Sequence, residues 1–201
     1  MREAEGELKR NPVRIYHCEK KDLTTFAFLK NNDSVNQLYA SENNFSDFTD
    51  LPESAAFLTL DLHNTKIENF KGAHQMESLR SINLSGSPVT RNTMYKTAVL
   101  LAFGAGIREI DGERVTAIDR KIASQYGERC AGLVRLGWMP TPRPPKTAEE
   151  FAKIQKSIGQ QNRRRVQPKI KVVTHVSQRE KLTKTIKLQE MEIKELERSL
   201  R

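Results

Sequence analysis

A period of 22 residues constrains this chain more than any other feature. Val13, Val35, Phe57 and Leu79 stand at that spacing, as do Tyr16, Leu38, Leu60 and Ile82, and Cys18, Ala40, Leu62 and Leu84. Leu23, Phe45, Ile67 and Val89 form a further column, and Leu29, Leu51 and Ala73 another. Phe26, Phe48 and Phe70 make a column that Asn92 breaks. Four repeats align with no insertion or deletion. Self-similarity at this length marks stacked supersecondary units, because one unit cannot bury its apolar face alone. The L-x-L centre of each unit alternates, so it predicts a short strand with one buried face. Equal units side by side bring these strands into a parallel sheet, with the return segments behind it.

The shared pattern is L-x-x-L-x-L-x-x-N-x-L, and Phe57-Leu58-Thr59-Leu60-Asp61-Leu62 with Ile67 and Phe70 fits it best. It resembles the 22-residue class of leucine-rich repeat, found in a regulatory subunit of protein phosphatase 1. Asn83-x-x-Gly86-x-Pro88-Val89, Tyr95, Ile110-Asp111-Gly112 and Val115-Thr116 look like that class's C-terminal cap. The spliceosomal A-prime protein, acidic nuclear phosphoproteins and an axonemal dynein light chain carry the same cap. The resemblance spans about residues 13–125 and implies an α/β solenoid with a short-stranded parallel sheet on its concave face. In that family the asparagine column bonds backbone groups inside the turn. Here it reads Lys21, Asn43, Thr65 and Ser87, so the first repeat is expected to be looser. Relatives share architecture and differ in partners, and the resemblance implies protein binding without catalysis.

A fifth strand around Ile107 and Ile110 comes 28 residues after Leu79, six more than the period. The extra residues fall in Arg91–Phe103, where Met94, Ala98, Leu101 and Ala102 suit a helix. Thr116 with Asp119 predicts another helix start. Residues 116–138 read as helix, break, helix. Ile118 and Ile122 suggest one buried stripe, and Leu133, Val134, Leu136 and Trp138 an apolar patch sealing the end of the array. The other reading makes Trp138 an exposed docking anchor.

The expected domains are a short cap at 1–12, repeats at 13–125, a capping segment at 126–138, a proline-rich linker at 139–147 and a helical tail at 148–201. Thr147-x-x-Glu150 is a capping box, and Phe151, Ile154 and Ile158 follow at helical spacing, so a helix is expected over about 148–161. Residues 141–201 carry 16 Lys and Arg against 7 Asp and Glu, which is the whole net charge of +9. Arg163, Arg164, Arg165, Lys169 and Lys171 fit phosphate, nuclear import or an acidic protein, or equally a solvated linker. From about 177 to 201 Leu182, Ile186, Gln189, Ile193, Leu196 and Leu200 alternate by four and three. Isoleucine at a and leucine at d favour a coiled coil with a second copy or another chain's helix.

Residues flanking the buried strand centres form three ladders on the sheet face. One is Ile15, Gln37, Thr59, Ser81 and Glu109; the next His17, Tyr39, Asp61, Asn83 and Asp111; the last Glu19, Ser41, His63 and Ser85. The candidate protein-binding residues are His17, Tyr39, Asp61, His63, Asn83 and Asp111, with Tyr39 the best anchor. Glu19, Ser41 and His63 resemble a hydrolytic triad in composition only. Serine lies between acid and base, and a sheet face has no spare amides for an oxyanion. His17 and His63 lack a third metal ligand. Nucleotide-binding glycine motifs are missing, and no cofactor or small-molecule substrate is expected.

Cys18 and Cys130 are the only cysteines, which excludes a disulfide framework and points to a reducing compartment. Cys18 falls in a buried column; Arg129 beside Cys130 could lower that thiol's pKa. No apolar run is long enough to span a membrane, and the first residues lack a signal peptide's apolar stretch. The favoured reading is a non-enzymatic adaptor in the cytoplasm, with a cytoskeletal or ciliary setting. The alternative is a nuclear ribonucleoprotein component, its basic tail on nucleic acid.

Overall fold

Unbroken spacing places residue i beside residue i+22, and the sheet follows from that rule. In the computed structural model, which describes residues 14–30, 34–53 and 56–166 (side chains to 160), four three-residue strands run parallel and in register. They are β1 (Ile15–His17), β2 (Gln37–Tyr39), β3 (Thr59–Asp61) and β4 (Ser81–Asn83). Tyr16 faces Leu38, Leu38 faces Leu60 and Leu60 faces Ile82. The six extra residues carry α1 (Tyr95–Phe103) before β5 (Glu109–Ile110) rejoins in parallel. A strand the pattern does not predict, β6 (Glu113–Arg114), then closes the sheet antiparallel to β5. Its two residues are both exposed, so no apolar alternation announces it.

The columns are the core. Leu38, Leu60, Ile82 and Ile110 are buried beneath the sheet, as are Ala40, Leu62 and Leu84. Behind them runs a phenylalanine spine. Phe26 stacks on Phe45 at 4.3 Å between centroids, and Phe48 on Phe70 at 5.7 Å. Where Asn92 breaks the column, Phe103 of α1 takes over, edge-on to Phe48 at 5.1 Å and to Phe70 at 6.1 Å. Each buried ring contributes about 1.5–3 kcal/mol by transfer from water, and ring pairs about 0.5–1.5 kcal/mol beyond that.

The polar column holds the turns between units. Asn43 Nδ2 donates to the carbonyls of Cys18 (2.8 Å) and Ala40 (3.0 Å), and Oδ1 accepts from the amides of Lys21 and Leu23, both at 3.0 Å. One repeat on, Thr65 Oγ1 donates to Leu62 O at 2.9 Å and lies 2.9 Å from Ser87 Oγ. Ser87 Oγ also accepts from the Thr65 amide at 3.1 Å. Thr and Ser thus share between two repeats the work that Asn43 does alone. Lys21 supplies only its amide, and its side chain stays exposed.

Beyond β6 the chain is helical. In α2 (Ala117–Ser124), Thr116 and Asp119 form a reciprocal capping box. Next comes α3 (Gly127–Arg135), and both helices pack on α1. The expected stripe is only half right. Ile122 and Ala123 pack inward, but Ile118 in the first turn is 70% exposed, because α2 meets the core through its C-terminal half. Leu133 and Val134 are buried, whereas Leu136 at the end of α3 is exposed. Helix α4 (Ala148–Val166) runs five residues past the expected end, and Glu150 Oε2 accepts from the Thr147 amide at 3.1 Å as its cap.

The proline-rich stretch does not behave as a spacer. Pro140 is buried, the Tyr126 hydroxyl donates to Thr141 O, and Phe151 and Ile158 join the core. The chain divides into Met1–Ile158 and Gly159–Arg201, so the boundary falls within α4 and not at 139–147. The expected cap at 1–12, the side chains of Arg163, Arg164 and Arg165, residues Lys169 and Lys171, and the heptad of Leu182, Ile186, Ile193, Leu196 and Leu200 lie outside the described residues.

Candidate functional site

In a strand of three residues the middle side chain points one way and its neighbours the other. Here Leu38, Leu60 and Ile82 point inward, which turns Gln37, Tyr39, Thr59, Asp61, Ser81 and Asn83 onto the opposite face, each partly exposed. In-register pairing then stacks like positions about 4.8 Å apart. His17 lies flat on Tyr39, centroids 4.9 Å apart and planes at 12°. Ile15, in the same strand, is 53% exposed beside them. The face therefore begins with an aliphatic–aromatic patch. Further along it carries Asp61 and Glu109, and Ser81 Oγ lies 3.4 Å from Glu109 Oε1.

Each histidine on this face bonds to an acid two residues away, the last residue of a strand pairing with one in the turn that follows. His17 Nδ1 lies 3.0 Å from Glu19 Oε1, and His63 Nδ1 lies 2.8 Å from Asp61 Oδ1. The His17 bond holds the Glu19 carboxyl below its usual range, with the Glu19 amide helping. Pairing across strands, as in the triad, overlooks these pairs; a histidine and an acid at i,i+2 spanning a strand end is the signal that finds them.

Two of the face residues are structural. Ser41 is 5% exposed and so does not stand in the third ladder. Its carbonyl accepts from the Lys20 amide at 3.2 Å, which draws it into the turn that Asn43 organises. With Ser41 buried and His63 on Asp61, the Glu19–Ser41–His63 set does not assemble. Asp111 is engaged at both oxygens: Oδ1 accepts from the Leu84 amide and Oδ2 from the Tyr95 hydroxyl, each at 2.7 Å. It locks β5 to β4 and α1, and is not available as a binding group. Burial, then this hydrogen bond, push the Tyr95 phenol up. Asn83 Oδ1 accepts from the Ser85 hydroxyl at 2.8 Å and stays at the surface.

No family model and no curated protein matches this chain. One solved structure with a similar chain is the Drosophila melanogaster SNF/U2A′ complex. Its TM-score is 0.35 and its identity 18%, covering 52% of this chain and 79% of that one. The functional reading rests on the sheet face itself.

The remaining chemistry-bearing groups are quiet. Burial pushes the Cys18 thiol up to about 11, and the Glu19 charge adds to this. Burial also raises Cys130 and outweighs Arg129, so the neighbouring guanidinium does not activate this thiol. Among the described residues no three His, Cys, Asp or Glu side chains converge as a metal site. No helix among them is long and apolar enough to cross a membrane.

Proposed function

We propose that this chain is a leucine-rich repeat solenoid acting as a non-enzymatic adaptor, and that it binds a protein partner on the concave face of its sheet. The observation that carries the reading is the solvent-facing His17–Tyr39 stack beside Ile15, on five strands in parallel register. Aromatic side chains on a rigid sheet give large contact area with little ordering cost. His63, Asp61 and Asn83 continue the ladder as the polar part of the interface. The repeat body is 13–125, closed by 126–138 and by the first half of α4. The basic tail assembles with a second chain through the heptad at 177–201. The setting is the cytoplasm.

The test is affinity capture from cell extract with the full chain and with a His17→Ala/Tyr39→Ala variant, each with and without RNase. A protein held by the parent chain, lost by the variant and indifferent to RNase is the expected result. Capture that survives both substitutions removes the sheet face as the site. Capture abolished by RNase replaces the adaptor with the nuclear ribonucleoprotein reading, in which the basic tail supplies phosphate contacts.

A further inference from the structure

Where the proline-rich stretch meets α4, a groove of about 300 Å³ opens among Trp138, Arg143, Pro144, Pro145, Lys153 and Ile154. That volume stands at the small end of ligand sites, roughly 300–1,000 Å³, and suits one bulky side chain with its neighbours. Both walls are held from behind. The Trp138 amide donates to Leu133 O at 3.0 Å, and its indole packs on the core. Thr141 Oγ1 donates to Arg143 O at 2.9 Å and fixes the turn between the prolines. Opposite, Phe151 is buried with the Arg129 guanidinium 4.0 Å over its ring, which anchors the α4 turn carrying Lys153 and Ile154. A cleft already formed has little ordering to lose on binding.

Its chemistry is specific. The floor is an indole, two pyrrolidine rings and a branched aliphatic chain. Pro142, Pro144 and Pro145 have no N–H, so this wall cannot pair with an added strand and must hold an occupant by its side chains. Arg143 and Lys153 are exposed cations on the rim. Glu150 is the one carboxylate in the lining. Its Oε2 accepts from the amides of Lys146 (2.6 Å) and Thr147 (3.1 Å), and these bonds hold its carboxyl below the usual range. It is thereby tied to the helix cap; Arg143 and Lys153 lower its carboxyl a little further and, both exposed, outnumber it at the rim.

We propose that this groove docks a short acidic peptide segment of a protein partner, with an apolar side chain seated on Trp138 and Ile154 and flanking carboxylates on Arg143 and Lys153. Apolar seating and charge-assisted bonds at the rim are complementary to that peptide and to no basic one. The site is separate from the sheet face, so the adaptor would hold two partners at once.

Trp138 is the only tryptophan, so its emission reports on the groove. The experiment titrates full-length protein at low salt with a hexapeptide of alternating glutamate and leucine, and with its lysine–leucine twin. The expected result is a saturable shift in emission with the acidic peptide and none with the twin. Binding weakens about tenfold in Arg143→Ala and in Lys153→Ala, each losing one charge-assisted contact. Ile154→Asp abolishes it, and His17→Ala/Tyr39→Ala leaves it unchanged. Both cations are exposed, so circular dichroism of those variants stays that of the parent. The proposal is overturned by an emission that does not move, by equal response to the twin, by binding seen in calorimetry without an emission change, or by unchanged affinity in the Arg143→Ala/Lys153→Ala double variant.

Discussion

Asn43→Ala is the sharpest probe of what holds the repeats in register. Asn43 is 2% exposed and joins its own turn to that of the preceding repeat through its side-chain amide. Alanine leaves two backbone amides, of Lys21 and Leu23, and two carbonyls, of Cys18 and Ala40, without these partners. A buried donor left unmade costs about 1–3 kcal/mol, and a carbonyl less. Lys21 is exposed, so water reaches its amide. The Leu23 amide and the two carbonyls therefore set the cost, at about 2–3 kcal/mol. Asn43→Thr should cost only about half of that, because Thr65 reaches the carbonyl three residues back at 2.9 Å and threonine would do so here. Urea unfolding measures both. With a slope of about 2 kcal/mol/M, the alanine midpoint falls by about 1 M and the slope is unchanged. A loss under about 0.5 kcal/mol for alanine, or threonine no better than alanine, refutes the idea that this side chain organises the turn.

Four other outcomes are expected. Glu42 (φ +56°) occupies a left-handed position, so Glu42→Gly should stabilise by about 0.5–1 kcal/mol. Gly86→Ala, one and two repeats on from Asn64 and Glu42, should destabilise by about 1 kcal/mol, since φ is +74° there and Asn64 Oδ1, 2.0 Å from the added Cβ, must swing aside; thermal midpoints decide both. Cys18, pushed up to about 11, should react with a thiol reagent at pH 8 roughly a hundredfold more slowly in the folded protein than after denaturation; equal rates refute its burial. Because burial and Asp111 raise the Tyr95 pKa, the folded protein keeps a proton that the unfolded chain releases above about pH 10. That stability is complete below this pH and is lost as pH rises beyond it, so Tyr95→Phe should flatten the alkaline fall in the urea midpoint.

The register was legible because the period contains no insertion: once Tyr16, Leu38, Leu60 and Ile82 share a column, their strands have one way to pair. Other features left no trace that residue type could carry. Lys20, Glu42, Asn64 and Gly86 all have positive φ at the same repeat position, yet only asparagine and glycine favour that backbone. Asp111 looks like its surface neighbours in the ladder, because a carboxylate gripping two donors and one facing water are the same letter. Phe103 belongs to no column and still completes the phenylalanine spine, having arrived on a helix that the period skips.

A repeat encodes placement redundantly, since each column states its burial four times and one odd residue does not change the answer. Function cannot be written that way. The solvent-facing ladder beginning at Ile15 runs on through Gln37, Thr59 and Ser81, so an isoleucine there breaks a polar series. At 53% exposed it leaves about half of its apolar surface in water. Tyr39 stands in the next ladder between His17 and Asp61, and Trp138 stands outside the repeats altogether. Both are only partly buried and keep some ring surface in solvent. Exposed side chains that depart from a ladder's polar pattern are the ones that folding alone does not account for, and on the proposed reading partner recognition is the reason for an isoleucine, a tyrosine and a tryptophan at such places.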